Sequence, residues 1–441
     1  MLLLGLMVTL AAVRISVKIL SQAGGKPAEI VVDVSTDLGP ISPLWQALAQ
    51  GGEEKYPFAA VVNQVAGLSP RYLRIDHIYD LYEVVDKQNN QLVFDWSQLD
   101  KQVDQILATG ALPFFSLSYM PPAIAQDGVV TNPPVNWEDW ALVVQETVEH
   151  YSGRNGRNLP EIAYEVWNEP DLFGGWRLGG DKNYLELYFW AERGARRVTN
   201  CQPFKIGGPG ISTPYKNWVN QFLDYLAENN LRIDFYSWHR YALNPEDYLQ
   251  DVDAVDNWLF KNAGHTLEKY LTEWGPSSEN LPLYNSNFAA AHILATISTL
   301  IQRVDLAFTF EVKDGSTTSW GILTNEFLGP VKEKPRYQAL KLLNQISGSR
   351  LSFEGQGTWV SGLAAKEGKT IKILLVNLDP EGEHFENVPL TINNMENGVY
   401  RLRLVNQQGE NTYQQEIPAG RLQGTFPLRA NQWLLIELSK T

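Results

Sequence analysis

Ile162-Ala163-Tyr164-Glu165-Val166-Trp167-Asn168-Glu169-Pro170-Asp171 is the stretch on which the fold turns. A short apolar and aromatic run ends in polar side chains and a proline, and an amphipathic segment, Lys182 to Arg197, follows. That is the texture of a parallel strand, its polar tip and a crossover helix. It recurs at Leu267 to Glu273, where the run reads Tyr270-Leu271-Thr272-Glu273-Trp274-Gly275. Working outward from these two, strands are predicted at Ile30 to Ser35, Tyr72 to Asp76, Leu112 to Tyr119, Ile162 to Asn168, Lys205 to Gly208, Ile233 to His239, Leu267 to Glu273 and Leu306 to Val312. Helical periodicity fills the gaps at Phe58 to Leu68, Ser97 to Ala108, Asn136 to Tyr151, Lys182 to Arg197, Tyr215 to Glu228, Pro245 to Asn262, Asn287 to Gln302 and Lys334 to Gln345. Eight strand and helix pairs predict an α/β fold, a (β/α)8 TIM barrel over residues 29–348. A doubly wound open sheet is the alternative. From 349 to 441 short alternating strands lie between Gly, Asn and Pro turn clusters, which predicts a C-terminal antiparallel β-sandwich domain.

The 441 residues hold 36 Lys plus Arg against 50 Asp plus Glu, a formal net charge of −14. No run of bases is available to neutralise phosphates, so nucleic acid is not an expected partner. Hydrophobic content of 44% with 20% charged residues predicts ordinary globular folding. Fourteen Trp, 19 Tyr and 17 Phe suit a protein that stacks on sugar faces and equally suit a large core. Cys201 is the one cysteine, so no intramolecular disulfide or thiolate cluster can form. Leu2 to Val13 is apolar, Arg14 and Lys18 follow, and Ser21-Gln22-Ala23 has the small residues of a signal-peptidase site. Residues 1–23 are therefore expected to be a signal peptide or membrane anchor, although the basic residues follow the apolar run instead of preceding it. The protein is expected to be exported, with membrane contact only through that segment.

In a TIM barrel the C-terminal strand ends converge on one face, so the tips of strands four and seven can meet across the mouth. Glu169 and Glu273 stand 273 − 169 = 104 residues apart, three β/α units of about 35 residues each. Paired carboxylates at a mouth equip glycoside hydrolysis, one as general acid and the other as nucleophile or base. Tyr119, Trp274 and Trp320 lie near predicted strand ends, where aromatic faces are candidate sugar platforms or core packing. Glu165 reads as a paired structural carboxylate, and Gly207-Gly208-Pro209-Gly210 as a close backbone approach at the rim. There is no His-Glu-x-x-His, no Gly-x-Ser-x-Gly and no P-loop, so neither a metal site nor a cofactor is expected.

Trp167-Asn168-Glu169-Pro170 with Leu271-Thr272-Glu273-Trp274 is similar to glycoside hydrolase family 39, whose members include β-xylosidases, α-L-iduronidases and bacterial exopolysaccharide hydrolases. The likeness extends through Leu44-Trp45, Tyr72-Leu73-Arg74, Leu117-Ser118-Tyr119-Met120-Pro121, Asp234-Phe235, His239-Arg240-Tyr241, Trp320-Gly321-Ile322-Leu323 and Lys334-Pro335-Arg336-Tyr337. One departure is Arg74-Ile75-Asp76-His77, where the family commonly has Arg-x-His. The resemblance implies a retaining glycosidase with Glu169 as acid/base and Glu273 as nucleophile, the carboxyls about 5–5.5 Å apart. Arg74 and Tyr241 are then expected to hold Glu273, Asn168 to bind the sugar 2-hydroxyl, and His239 to contact the sugar. A carbohydrate is the expected partner. The alternatives are an endoglycosidase acting on the producing cell's own exopolysaccharide and a carbohydrate-binding barrel without turnover.

Overall fold

The computed structural model describes residues 25–263 and 267–441. The predicted leader and the small residues at 21–23 lie outside them. Among the described residues no helix is long and apolar enough to cross a membrane.

Residues 42–345 form one compact unit built on a closed barrel of parallel strands. In chain order the strands are Ala47–Gln50, Tyr72–Ile75, Leu112–Ser116, Ile162–Glu165, Phe204–Ile211, Phe235–Tyr241, Glu268–Gly275 and Leu306–Phe310, the last pairing with the first. Two of the intervening helices begin at asparagine caps. Asn136 accepts from the Glu138 amide at the start of Trp137–Tyr151, and Asn183 from the Leu185 amide at the start of Tyr184–Arg197.

Seven barrel strands coincide with predicted ones to within a few residues; the first does not. Ile30-Val31-Val32-Asp33, the predicted opening strand, pairs instead with Glu386–Asn393 and Ser352–Glu354. The true first strand, Ala47-Leu48-Ala49-Gln50, is short and alanine-rich and has no β signature. Its small residues have a steric reason. The barrel interior is filled by Tyr72, Phe114, Phe235, Tyr270 and Phe308, and Ala47, Ala49 and Ala163 leave room for those rings.

The second unit comprises the described residues up to 41 together with 346–441. The barrel boundary thus lies at 42 and 345, where 29 and 348 were expected. This unit is a pair of sheets. One has four strands in the order Ser352–Glu354, Ile30–Asp33, Glu386–Asn393, Leu422–Leu428. The other has six, in the order Ser349–Arg350, Val360–Glu367, Thr370–Asn377, Trp433–Lys440, Gly398–Asn406, Gly409–Ile417. All contacts are antiparallel except that of Ile30–Asp33 with Glu386–Asn393, which is parallel. Apolar side chains from both sheets, among them Ile30, Val32, Ile373, Leu390 and Ile436, make its core.

Candidate active site

The fourth barrel strand ends at Glu165, and the chain then leaves the extended conformation. Trp167 and Glu169 both take left-handed φ angles, 79° and 43°. Such values are costly for non-glycine residues and persist where surrounding contacts enforce them. Here the Glu169 amide donates to Gly210 O at 2.9 Å, and the Trp167 carbonyl accepts from the Ser116 hydroxyl at 2.9 Å. The turn breaks the alternation that would put Glu165, Trp167 and Glu169 on one face. Trp167 is fully buried against Tyr119 and Trp176, whereas Glu169 faces the barrel mouth. The fifth strand makes the close approach expected of its glycines. A Cβ on Gly207 would sit 2.2 Å from Phe235 O, and Gly210, at φ 60°, lies against the Glu165 carboxyl.

Arg74 organises the floor. Its guanidinium is fully buried and donates to Glu165 Oε2 at 2.8 Å, Glu273 Oε1 at 2.9 Å and Asn168 Oδ1 at 2.7 Å. Burial works against its charge, but Glu165 and Glu273 outweigh burial and hold it firmly protonated. Glu165 is the structural carboxylate foreseen, taking a further hydrogen bond from Thr272 Oγ1 at 2.7 Å. The second oxygen of Glu273 accepts from the Tyr241 hydroxyl at 3.0 Å. His239 Nδ1 lies 2.9 Å from Glu169 Oε1 and 3.5 Å from Glu273 Oε2, between the two carboxyls. Burial raises the pKa of Glu273, Glu169 adds to the rise, and His239 and Arg74 oppose it. Burial lowers that of His239, yet the Glu273 and Glu169 carboxyls leave it raised on balance.

Above this floor opens a cavity of about 800 Å³, lined among others by Glu169, Glu273, Asn168, Tyr241, Tyr119 and Trp320. Asn168 is held on both sides, its amide nitrogen donating to the Tyr119 hydroxyl at 3.1 Å. The half-buried Trp320 is fixed by its indole N–H on Glu279 O at 3.0 Å. Arg74 holds Glu273 as expected and lies below the cavity without lining it. Two expected sugar contacts are placed otherwise. His239 is buried between the carboxyls and does not line the cavity. Trp274 is fully buried beside Tyr248 and His292, because strand alternation turns it outward when Glu273 points in. No sugar can stack on it. Asp76, Glu53, Leu172 and Phe173 also line the cavity. Sequence reading singled out none of them as site residues; only the departure at Asp76 marked one.

Donor atoms of Glu169, His239 and Glu273 lie within 4.8 Å of one another, a spacing a small cation can bridge. The Arg74 guanidinium already supplies positive charge at Glu273, and both Glu273 oxygens already accept hydrogen bonds. The arrangement instead suits two carboxyls with different duties: one clamped by a cation and a phenol, the other hydrogen-bonded to an imidazole.

The profile of glycosyl hydrolases family 39 matches residues 29–393. The chain is 27% identical over 344 residues to a β-xylosidase of Caldicellulosiruptor saccharolyticus, covering 69% of this chain and 66% of that one. It is 23% identical over 240 residues to the α-L-iduronidase of Mus musculus, covering 48% and 37%. It therefore spans less than two thirds of the length of these curated relatives. Among solved structures, the GH39 enzyme from Xanthomonas axonopodis pv. citri superposes with a TM-score of 0.77 at 20% identity, covering 94% of this chain and 98% of that one. A monomeric β-xylosidase from Caulobacter crescentus CB15 does so with 0.77 at 22%, covering 94% and 99%. At these identities the structural likeness speaks for the fold.

Proposed function

The chain belongs to glycosyl hydrolases family 39, and from that membership and its barrel mouth we propose that it is a retaining glycoside hydrolase of β-xylosidase-like type. The observation that carries the reading is the pair Glu169 and Glu273, brought from the ends of strands four and seven so that one carboxylate oxygen of each lies within 4.8 Å of the other, with His239 Nδ1 between them. Retaining enzymes hold their carboxyls about 5–5.5 Å apart, and inverting ones about 6.5–9.5 Å, to leave room for a water.

In this reading Glu273 attacks the anomeric carbon while Glu169 gives its proton to the leaving glycosidic oxygen. A glycosyl ester on Glu273 results. Glu169, now a carboxylate, takes a proton from water as the water attacks the same carbon, and Glu273 leaves. Arg74 and Tyr241 keep Glu273 ionised and aimed, and Asn168, locked between Arg74 and Tyr119, presents its amide to the sugar 2-hydroxyl. The test is a 2-fluoro glycoside bearing a good leaving group, with aryl xylosides assayed alongside. A glycosyl mass added to the peptide that contains Glu273 is expected, and Glu273→Gln should abolish both label and turnover. Glycan binding without cleavage by the unaltered protein would make it a lectin-like barrel instead.

A further inference from the structure

One wall of the cavity carries a group that the double displacement leaves idle. Asp76 follows the second barrel strand, is 7% exposed, and lines the cavity. Its Oδ1 is buried and has no hydrogen-bond partner among the described residues. A buried carboxylate oxygen without a donor costs free energy, and a ligand that brings a donor recovers it. Glu53, from the loop after the first strand, lines the same cavity. With Glu169 and Glu273 they make four carboxyls around one space.

The bases that face them have acidic neighbours of their own. Of the described residues lining the cavity, only His77 and Arg240 are basic. His77 is hydrogen-bonded to Asp80 at 2.9 Å, and the Arg240 guanidinium lies 3.3 Å from Asp251. Arg74 below has its donors on Glu165, Glu273 and Asn168. Lys182, near the lip, donates to the carbonyls of Thr131 and Gly174. A negatively charged glycosyl unit would enter a space walled by four carboxyls, where the two described bases lining it, His77 and Arg240, each already have an acidic neighbour. A neutral unit brings hydroxyl donors, which is what an unpartnered carboxylate oxygen accepts.

We propose that Asp76 is a specificity-determining residue: it accepts a hydrogen bond from a hydroxyl of an uncharged glycosyl unit seated against Glu273, and with Glu53 it turns away units that carry their own carboxylate. The assignment rests on the glycosidase reading above and narrows its substrate class to neutral glycosides, excluding uronides.

The test compares nitrophenyl glucosides and glucuronides of both anomers, identical except at C6, together with the xylosides. For the unaltered protein kcat/KM is expected to be at least about a hundredfold higher on a neutral glycoside than on the matched uronide, as for a site that must leave a charge uncompensated. Asp76→Asn, which keeps size but removes charge, should raise KM on the neutral substrate about tenfold or more with little change in kcat, and should narrow the discrimination against the uronide. Equal turnover of neutral and uronide substrates overturns the proposal and leaves the glycosidase reading standing. So does an Asp76→Asn enzyme with unchanged KM and unchanged selectivity. If nothing is cleaved, the glycosidase reading fails, and calorimetric titration of the unaltered protein with glucose, xylose and glucuronate decides this point separately: tighter binding of a neutral sugar supports it, equal or tighter binding of glucuronate overturns it.

Discussion

Tyr241 donates its hydroxyl to Glu273 Oε2, the one oxygen of that carboxylate that Arg74 leaves free. Burial and the neighbouring Glu273 charge push the phenol pKa well up, so it remains a neutral donor at every working pH. Tyr241→Phe removes the hydrogen bond and little else. A hydrogen bond to a charged group is worth about 1.5–3 kcal/mol, so kcat/KM should fall about 10- to 150-fold. Steady-state kinetics with an aryl glycoside, alongside an unchanged melting temperature, would check it; unaltered kinetics would mean the contact does not act on Glu273.

The duty proposed for Glu169 predicts a dependence on the leaving group. Glu169→Ala should lose about 10²–10⁴ in rate on glycosides with alkoxide or sugar leaving groups, which need protonation. On a dinitrophenyl glycoside, whose phenolate departs unaided, the first step should be nearly spared and a burst should appear as the ester accumulates. A uniform loss across leaving groups would contradict an acid role.

Arg74 is paired with two buried carboxylates at once, Glu165 and Glu273. Arg74→Met should therefore destabilise the barrel by about 3–5 kcal/mol, the cost of stranding buried charge, read as a drop in the denaturant midpoint. Because Arg74 draws the Glu273 pKa downward, its removal should also shift the acid limb of the activity profile to higher pH. A limb that stays in place would mean that it reports a group other than Glu273.

His292 is fully buried beside Phe288 and Trp274, its Nε2 donating to Ala242 O at 2.8 Å. Burial lowers its pKa from 6.5 to about 3. Between those values the unfolded chain binds a proton that the folded chain refuses. Stability is thus fully present above pH 6.5 and falls as pH drops toward 3, by about 1.4 kcal/mol per unit from this residue. His292→Asn should flatten the dependence of unfolding free energy on pH in that window, measured by chemical denaturation at several pH values. An identical slope would assign the acid sensitivity elsewhere.

Much of this was legible because the signals were local. Seven barrel strands announce themselves by β-prone runs with polar tips, and Glu169 and Glu273 by their strand spacing. The first strand was missed because its residues answer to a distant demand: Ala47 and Ala49 are small to admit rings from other strands, and smallness reads locally as helix. Gly409–Ile417 gives little strand signal of its own because it is largely exposed and polar. Trp274 was misassigned because proximity to a catalytic strand end says nothing about face; the bulge between Leu271 and Glu273 and the alternation beyond it decide that. Asp76 was visible as a departure, but its orphaned oxygen is a property of packing alone.

The pairing of Ile30–Asp33 with Glu386–Asn393 has a consequence for synthesis on the ribosome. The Ala28 amide meets the Glu386 carboxylate across 358 residues of chain. At about 5–20 residues per second, Ile30-Val31-Val32 waits on the order of twenty seconds to over a minute for its neighbour to emerge. Throughout that interval a bare, β-prone segment stands ahead of a barrel being completed behind it, and chaperone capture of the nascent chain should concentrate there.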